Sequence, residues 1–181
     1  MFIGSFLLVK RDHPGLTKAD LLKRMRLTPL RGIDWVWSIA GFLSVGIFTW
    51  LFIWIGERFI TGFSPSPSFM HMDPLTPDTR WILFVWVPMF FFNILGEELY
   101  WRGYLFPRML GRFGKYTWLV HGSGWMIFHL AFGWNLLFTL LPIIFIQCWV
   151  VQKTGNTWSG IVIHGLVNGI GFLTVAFGLL G

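Results

Sequence analysis

The stretch WILFVWVPMFFFNILGEELYWRGYLF, residues 81–106, decides the fold class of this chain. Its first part is almost entirely apolar, and two adjacent acidic residues, Glu97 and Glu98, follow within the same apolar surroundings. The run is long enough for a helix that crosses a hydrocarbon layer of about 30 Å, which requires about 20 residues. Ionisable side chains cost free energy inside a bilayer, so their presence in such a helix indicates a function.

The composition extends this membrane prediction to the whole chain. Of the 181 residues, 55% are hydrophobic and 12% are charged, and the mean hydropathy is +0.64. Soluble domains carry about 25% charged residues. A chain this apolar has too few polar side chains to cover itself in water, so we predict an integral membrane protein.

Apolar runs recur along the chain and predict an all-α, polytopic transmembrane helix bundle of about five spanning helices. Between the first and second runs lies a loop rich in proline, a residue that stops helices. The predicted spans are 33–55, 81–106, 116–132, 136–151 and 158–180.

Basic residues are concentrated on one side of this layout. Seven of the fourteen lysines and arginines precede the first span, and leucines alternate with basic residues over 16–30. We interpret residues 1–32 as an amphipathic segment on anionic lipid at the cytoplasmic surface, and residues 33–181 as the transmembrane domain. The basic loop at 102–115 falls on the same side, which puts the C-terminus outside. Membrane lipid is therefore an expected partner and nucleic acid is not, although the net charge is +6.

The acidic pair is asymmetric. Arg102 lies four positions after Glu98, so the two share one helical face and can form a charge-assisted pair. Glu97 is rotated by about 100° from Glu98 around the helix and has no cation on its own face. Glu97 is thus the carboxylate available as a general base. The alternative is that all three residues form a structural ion cluster.

Three polar residues on later spans accompany the acidic pair. His164 and Asn168 are four residues apart and share one helical face, while His129 is flanked by apolar residues. They could bind a metal, donate hydrogen bonds to an oxyanion, or bond to neighbouring helices. Glu97 and His129 lie about equally far from the basic loop, so they would have similar depth in a helical hairpin. His164 lies about 10 Å closer to its own turn at 153–156 than these two residues lie to the basic loop, at ~1.5 Å of rise per residue.

The remaining candidates receive simpler interpretations. His121 stands at the start of its helix and is expected at the membrane interface, and His13 and His71 lie in polar loops without an expected role. Cys148 is the only cysteine, so no intrachain disulfide can form. We expect Cys148 to be a small apolar packing residue.

Three motifs, in order and on separate predicted spans, resemble those of the CAAX-protease and bacteriocin-processing (CPBP) family of membrane endopeptidases. The string Glu-Glu-Leu-Tyr-Trp-Arg at 97–102 resembles the Glu-Glu-x-x-x-Arg signature. Phe128-His129 resembles the second motif, and His164-Gly-Leu-Val-Asn168 resembles the His-x-x-x-Asn motif. The resemblance covers the chain from the second span onward and extends to the prenyl-protein type II CAAX proteases.

The resemblance implies an intramembrane endopeptidase acting on a membrane-associated protein or peptide. Glu97, assisted by His129, would activate a water for attack on the scissile carbonyl. His164 and Asn168 would stabilise the oxyanion. The implied setting is a multi-pass protein of a bacterial inner membrane, with a peptide or membrane-protein substrate approaching from the cytoplasmic side.

The resemblance also implies that Glu98 and Arg102 hold Glu97 in place. We expect the mechanism to use no cofactor. A zinc ion held by Glu97 and the two motif histidines is the alternative. The sequence has no local metal signature such as His-Glu-x-x-His, so we favour the metal-free mechanism.

Other functions compete with this one. His121-Gly-Ser123-Gly faintly resembles the serine motif of rhomboid proteases, with His164 as base, but the Glu pair would then have no role. A non-catalytic immunity factor or membrane scaffold of the same fold is the stronger alternative, in which the polar cluster only holds helices together. A transporter is disfavoured because the sequence shows no internal repeat.

Overall fold

A computed structural model describes residues 1–65 and 72–179. Within these residues the chain is helical and contains no β-strand, which confirms the predicted all-α class. The π-helical segment Leu99–Leu105 separates α4 from α5. The helices are α1 (Phe2–Asp12), α2 (Lys18–Arg24), α3 (Gly32–Phe59), α4 (Ile82–Glu98), α5 (Phe106–Phe113), α6 (Thr117–His129), α7 (Trp134–Thr154) and α8 (Thr157–Ala176).

Four helical runs of the described chain are long and apolar enough to cross a membrane, so the polytopic bundle is confirmed. The second run, Ile82–Phe132, has 51 residues and would be about 75 Å long if straight. It is broken at Gly114, whose φ of +49° ends α5. The predicted spans 81–106 and 116–132 are thus joined in one interrupted run, which explains four runs where about five were predicted.

The proline-rich loop is partly described. Pro77–Thr79 form a short 3₁₀ turn with Pro77 at its first position, where the missing N–H of proline costs nothing. The loop is tied to the bundle where the backbone N–H of Leu75 donates to the carbonyl of Ala176 at 2.8 Å. His71 lies outside the described residues.

The N-terminal segment packs on the bundle. Val9 on α1 and Met25 after α2 are fully buried, in one apolar cluster with residues of the π-helical segment. At the end of α1, Asp12 accepts hydrogen bonds from the Tyr104 hydroxyl at 2.9 Å and from Arg108 at 2.6 Å. These two donors hold the pKa of Asp12 below its usual range. The division of the chain at residue 32 stays a prediction.

Residues 25–28 form a strap over the turn between α7 and α8. The Thr157 hydroxyl donates to the carbonyl of Met25 at 2.8 Å, and the Asn156 amide donates to the carbonyl of Thr28 at 3.0 Å. Arg26 caps the end of α7, donating to the carbonyls of Gly155 at 2.9 Å and Val151 at 3.2 Å. The turn is therefore enclosed, and α8 begins inside the protein.

A shared apolar core joins α3 to α6, α7 and α8. Gly41 on α3 has no side chain to separate the helices, and a Cβ there would lie 2.9 Å from side-chain atoms of both Val150 and Ile163. Small residues of this kind allow helices in a membrane to approach closely. Trp125 belongs to this core and also borders the site described below.

Replacing Arg26 by alanine should destabilise the protein by about 2 kcal/mol, because two hydrogen bonds from a charged donor are lost. Arg26 has a φ of +57°, and alanine bears the same backbone strain as arginine there. The difference in stability between wild type and variant therefore reports the loss of the two side-chain hydrogen bonds. The measurement is thermal unfolding in detergent. Arg24→Ala, at an exposed position of α2, is the matched control. Equal melting temperatures for the two variants would contradict the strap.

Candidate active site

A buried carboxylate joins α4 to α8. The Oε1 atom of Glu98 accepts hydrogen bonds from Arg102 at 3.0 Å and from Nδ1 of His164 at 2.8 Å. Glu98 and Arg102 are both 0% exposed. The four-residue spacing predicted the pair with Arg102, and the structure contains it. The bond to His164 was not predicted, because the sequence had placed His164 closer to its turn.

The π-helical segment follows Glu98 directly. A π-helix holds more residues per turn than an α-helix, and π-turns occur frequently at functional sites. Arg102 lies within this segment and still reaches back to Glu98. The side chains after Glu98 therefore point in other directions around the helix axis than they would in a continuous α-helix. A pattern with a period of 3.6 residues does not predict this change.

The second oxygen of Glu98 is enclosed by α7 and α8. A Cβ added at Gly160 would lie 2.5 Å from Oε2 of Glu98 and 3.3 Å from Nε2 of Gln147. Gln147 is fully buried and donates to the carbonyl of Gly160 at 2.9 Å. Gly160 is therefore required for the close approach of α8 to the carboxylate. Sequence reasoning missed both residues, although a glutamine within an apolar run was a visible signal.

Trp125 connects the three motifs. Its ring lies 3.7 Å from the guanidinium carbon of Arg102, a cation–π contact. The same ring packs edge-on against His129 at 5.1 Å and His164 at 5.6 Å between centroids. The carbonyl of Trp125 accepts a hydrogen bond from Nδ1 of His129 at 2.9 Å. Since a carbonyl only accepts, Nδ1 carries the proton, and Nε2 of a neutral His129 is an acceptor.

The expectation for His121 is wrong. This residue is 1% exposed, because α6 begins one turn earlier and its first turns pack against the π-helical segment and α7. Nε2 of His121 lies 2.9 Å from the carbonyl of Trp101, and Nδ1 lies 3.3 Å from Sγ of Cys148. Cys148 is buried and free as expected, but it also makes polar contacts, including one of 3.7 Å from Arg102.

A cavity of about 820 Å³ lies among α4, α6, α7 and α8. Glu97, His129, His164 and Asn168 all line it, so four of the six predicted site residues share one space. The Oε2 atom of Glu97 is buried, and no hydrogen-bond partner for it exists within residues 1–65 and 72–179. Glu98 and Arg102 do not line the cavity and are enclosed behind it.

Asn93 is a further polar residue on the cavity wall. It precedes Glu97 by four positions and so lies one helical turn away on the same face. Sequence reasoning missed Asn93. An amide within an apolar run, spaced four residues from a candidate base, was the signal that could have identified it.

The zinc alternative stays a prediction. No group of three His, Cys, Asp or Glu side chains close enough to hold a metal occurs in the described part of the chain. Nδ1 of His164 is bonded to Glu98, which leaves its Nε2 available. The mechanism proposed below uses no metal. Ser123, the candidate rhomboid-type nucleophile, is not among the residues that line the cavity.

Gly160→Ala should destabilise the protein by about 1–3 kcal/mol, as expected when a methyl group is forced into a packed site. The added Cβ would displace the Glu98 carboxylate. Gly165→Ala on the same helix is the control, because a Cβ there meets nothing within 4 Å. Unfolding in detergent measures both variants, and a Gly160→Ala protein as stable as the control would disprove the close approach.

Comparisons with known proteins agree with this arrangement. The family model described as type II CAAX prenyl endopeptidase Rce1-like matches residues 79–170, about half of the chain. That interval includes Glu97, Glu98, His129, His164 and Asn168. Searches of curated proteins and of solved structures returned no match. The chain is an integral membrane protein with the fold of a CAAX-type intramembrane protease, and it belongs to the type II CAAX prenyl endopeptidase Rce1-like family.

Proposed function

We propose that this protein is an intramembrane endopeptidase that hydrolyses a peptide bond through a water activated by Glu97 and His129. One observation carries the proposal: the two adjacent carboxylates have different surroundings. Glu98 is bonded to Arg102 and His164, whereas Glu97 lines the cavity with an oxygen that has no partner in the described chain. An uncommitted carboxylate that shares a cavity with an imidazole is suited to general-base catalysis.

The water is held between Glu97 and His129. Glu97 accepts one proton of the water, and Nε2 of His129 accepts a hydrogen bond from the other, since its Nδ1–H is committed to Trp125. The water oxygen then forms a bond to the scissile carbonyl carbon. When the tetrahedral intermediate collapses, the C–N bond breaks and Glu97 returns its proton to the leaving amine.

The developing oxyanion needs donors on the opposite wall. The side-chain amide of Asn168 is one donor. Nε2 of His164 is the other, and the bond from Nδ1 to the carboxylate of Glu98 fixes the orientation of the ring. Glu98 and Arg102 touch neither water nor substrate in this scheme. They are positioning residues that fix His164, and through Trp125 they also fix His129.

The cavity wall indicates an apolar substrate. Trp86 stacks between Phe90 at 4.6 Å and Phe172 at 4.1 Å, and all three line the cavity. The name of the matched family refers to prenyl proteins. An aromatic wall suits an isoprenoid and an apolar side chain alike, so both belong in the substrate panel.

We place the protein in a bacterial inner membrane, where anionic lipid would receive the basic N-terminal segment.

Glu97→Gln and His129→Ala should each lower peptide cleavage by about 100-fold or more, the usual range for loss of a general base. Purified protein in liposomes is incubated with fluorogenic peptides, some of them lipid-anchored. Ser123→Ala is the control and should cleave at the wild-type rate. Activity lost in Ser123→Ala but kept in Glu97→Gln would refute the glutamate mechanism, and inhibition by a chelator would replace it with a metal-dependent one.

A scaffold or immunity role is the second candidate, because the Glu98–Arg102–His164 cluster is buried as a structural network would be. Arg102→Met should cost about 3–5 kcal/mol, since the buried carboxylate of Glu98 loses its arginine partner. Glu97→Gln should leave stability unchanged, since the Oε2 atom of Glu97 has no hydrogen-bond partner among the described residues. Chemical unfolding in detergent compares the two variants. Equal destabilisation by both would favour the scaffold role over the enzyme.

A further inference from the structure

The cavity among α4, α6, α7 and α8 has few polar side chains. Among the described residues that line it, a carboxylate, an imidazole or an amide is carried by Asn93, Glu97, His129, His164 and Asn168. The other lining residues are apolar, aromatic or glycine. The proposed mechanism gives a role to four of the five polar residues and none to Asn93.

The side chain of Asn93 is available to a ligand. It is exposed, and its amide makes no hydrogen bond within residues 1–65 and 72–179. Asn93 also lies in a helical run that is long and apolar enough to cross a membrane. An amide without a partner costs free energy in apolar surroundings, and polar residues inside such spans commonly serve a function. The amide of Asn93 therefore requires a partner from outside the described chain.

The packing of α4 against α8 sets the depth of this amide. Three contacts join the two helices, namely Trp86 with Phe172, Phe90 with Gly169, and Glu98 with His164. Residue numbers rise along α4 as they fall along α8, so the helices are antiparallel. Asn93 lies between the second and third contacts, and so at the level of the α8 turn from His164 to Asn168. It therefore shares its depth with the two proposed oxyanion donors.

A peptide substrate brings unpaired polar groups into this cavity. The carbonyls of a helical segment are bonded within the helix, so the segment must unwind before water can attack one of them. Unwinding leaves backbone N–H and C=O groups without partners, and each of them costs free energy against apolar walls. The proposed mechanism provides donors for the scissile carbonyl alone. A neighbouring peptide group of the substrate needs a further polar side chain on the wall.

An asparagine side chain is chemically matched to a peptide group. Its carbonyl oxygen accepts a hydrogen bond from an N–H, and its NH₂ group donates to a C=O. Asn93 lies one helical turn from Glu97, or about 6 Å along the axis. An extended chain advances by about 3.3 Å per residue, so the amide reaches a peptide group about two residues from the scissile bond.

We propose that Asn93 is a substrate-binding residue that bonds to a backbone peptide group about two residues from the scissile bond. The ligand class is the main chain of an unwound peptide segment. Asn93 transfers no proton; it holds the segment in a register that brings one carbonyl next to the attacking water. This inference deepens the proposed function and rests on it.

Peptides with single ester bonds test this contact. The probe is a fluorogenic peptide that the wild type cleaves, together with a series in which one amide at a time, other than the scissile one, becomes an ester. An ester has no N–H donor, and its carbonyl is a weaker acceptor. Cleavage is measured for the wild type, Asn93→Leu and Phe91→Leu. Phe91 is the matched control on α4, because it is exposed and does not line the cavity.

The wild type should lose about tenfold in kcat/KM when the ester replaces the amide that Asn93 binds, as expected for one hydrogen bond. Asn93→Leu should be slower by about tenfold on the all-amide peptide, mainly through a higher KM, and should no longer distinguish that ester. Phe91→Leu should behave as the wild type. A purely structural Asn93 would leave the ester effect intact, so an unchanged effect in Asn93→Leu would overturn the proposal, as would a wild type insensitive to every ester.

Binding separates this proposal from the proposed function. If the wild type cleaves no peptide, fluorescently labelled peptides are titrated onto the wild type and Asn93→Leu in detergent, and fluorescence polarisation is measured. Binding weaker by about tenfold in the variant would support the backbone contact although the enzyme fails. Equal binding by the two proteins, or binding by neither, would overturn it.

Thermal unfolding in detergent completes the test. Asn93→Leu should melt at the wild-type temperature or above, because the amide has no partner to lose among the described residues. A lower melting temperature than that of Phe91→Leu would assign the amide to the support of the fold and would overturn its role in substrate binding.

Discussion

A carboxylate removed entirely from solvent costs several kcal/mol unless cations and donors compensate it, and Glu98 is compensated from two helices at once. Arg102 supplies the charge from its own run, and His164 supplies a donor from α8. The remaining walls must then fit around the carboxylate. Gly160 leaves room for Oε2, and Trp125 covers the guanidinium. The position of α8 against α4, and with it the width of the cavity, follows from satisfying this one charge.

Two neighbouring glutamates obtain opposite environments from helix geometry alone. A rotation of about 100° between successive residues is enough to place Glu98 inside the wall and Glu97 on the cavity surface. Glu98 bonds to the imidazole of His164, while Glu97 keeps an oxygen that has no hydrogen-bond partner in the described chain. A site built this way needs no loop to position its base, because one rigid helix carries both the base and its support.

Properties that repeat with the helical period were predictable from the sequence. The spans follow from the length of apolar runs, and the Glu98–Arg102 pair follows from a spacing of four residues. The buried position of His121 was not predictable, because its neighbours Lys115 and Tyr116 suggested an interface, while burial depends on how α6 packs against α7. The bond from His164 to Glu98 likewise depends on a turn enclosed by the strap. The cavity could not be predicted, because its shape depends on the relative placement of four helices and no local sequence pattern contains that placement.

The strap has a consequence for how this protein is made. Arg26 bonds to Gly155, a residue 129 positions later in the chain. The N-terminal segment therefore leaves the ribosome long before the turn it covers exists. During that interval residues 25–28 lack the partners at 151–157 to which they are bonded in the folded protein. Biogenesis thus has a fixed order, in which residues 25–28 are synthesised before the α7–α8 turn but reach their final position only after that turn has formed.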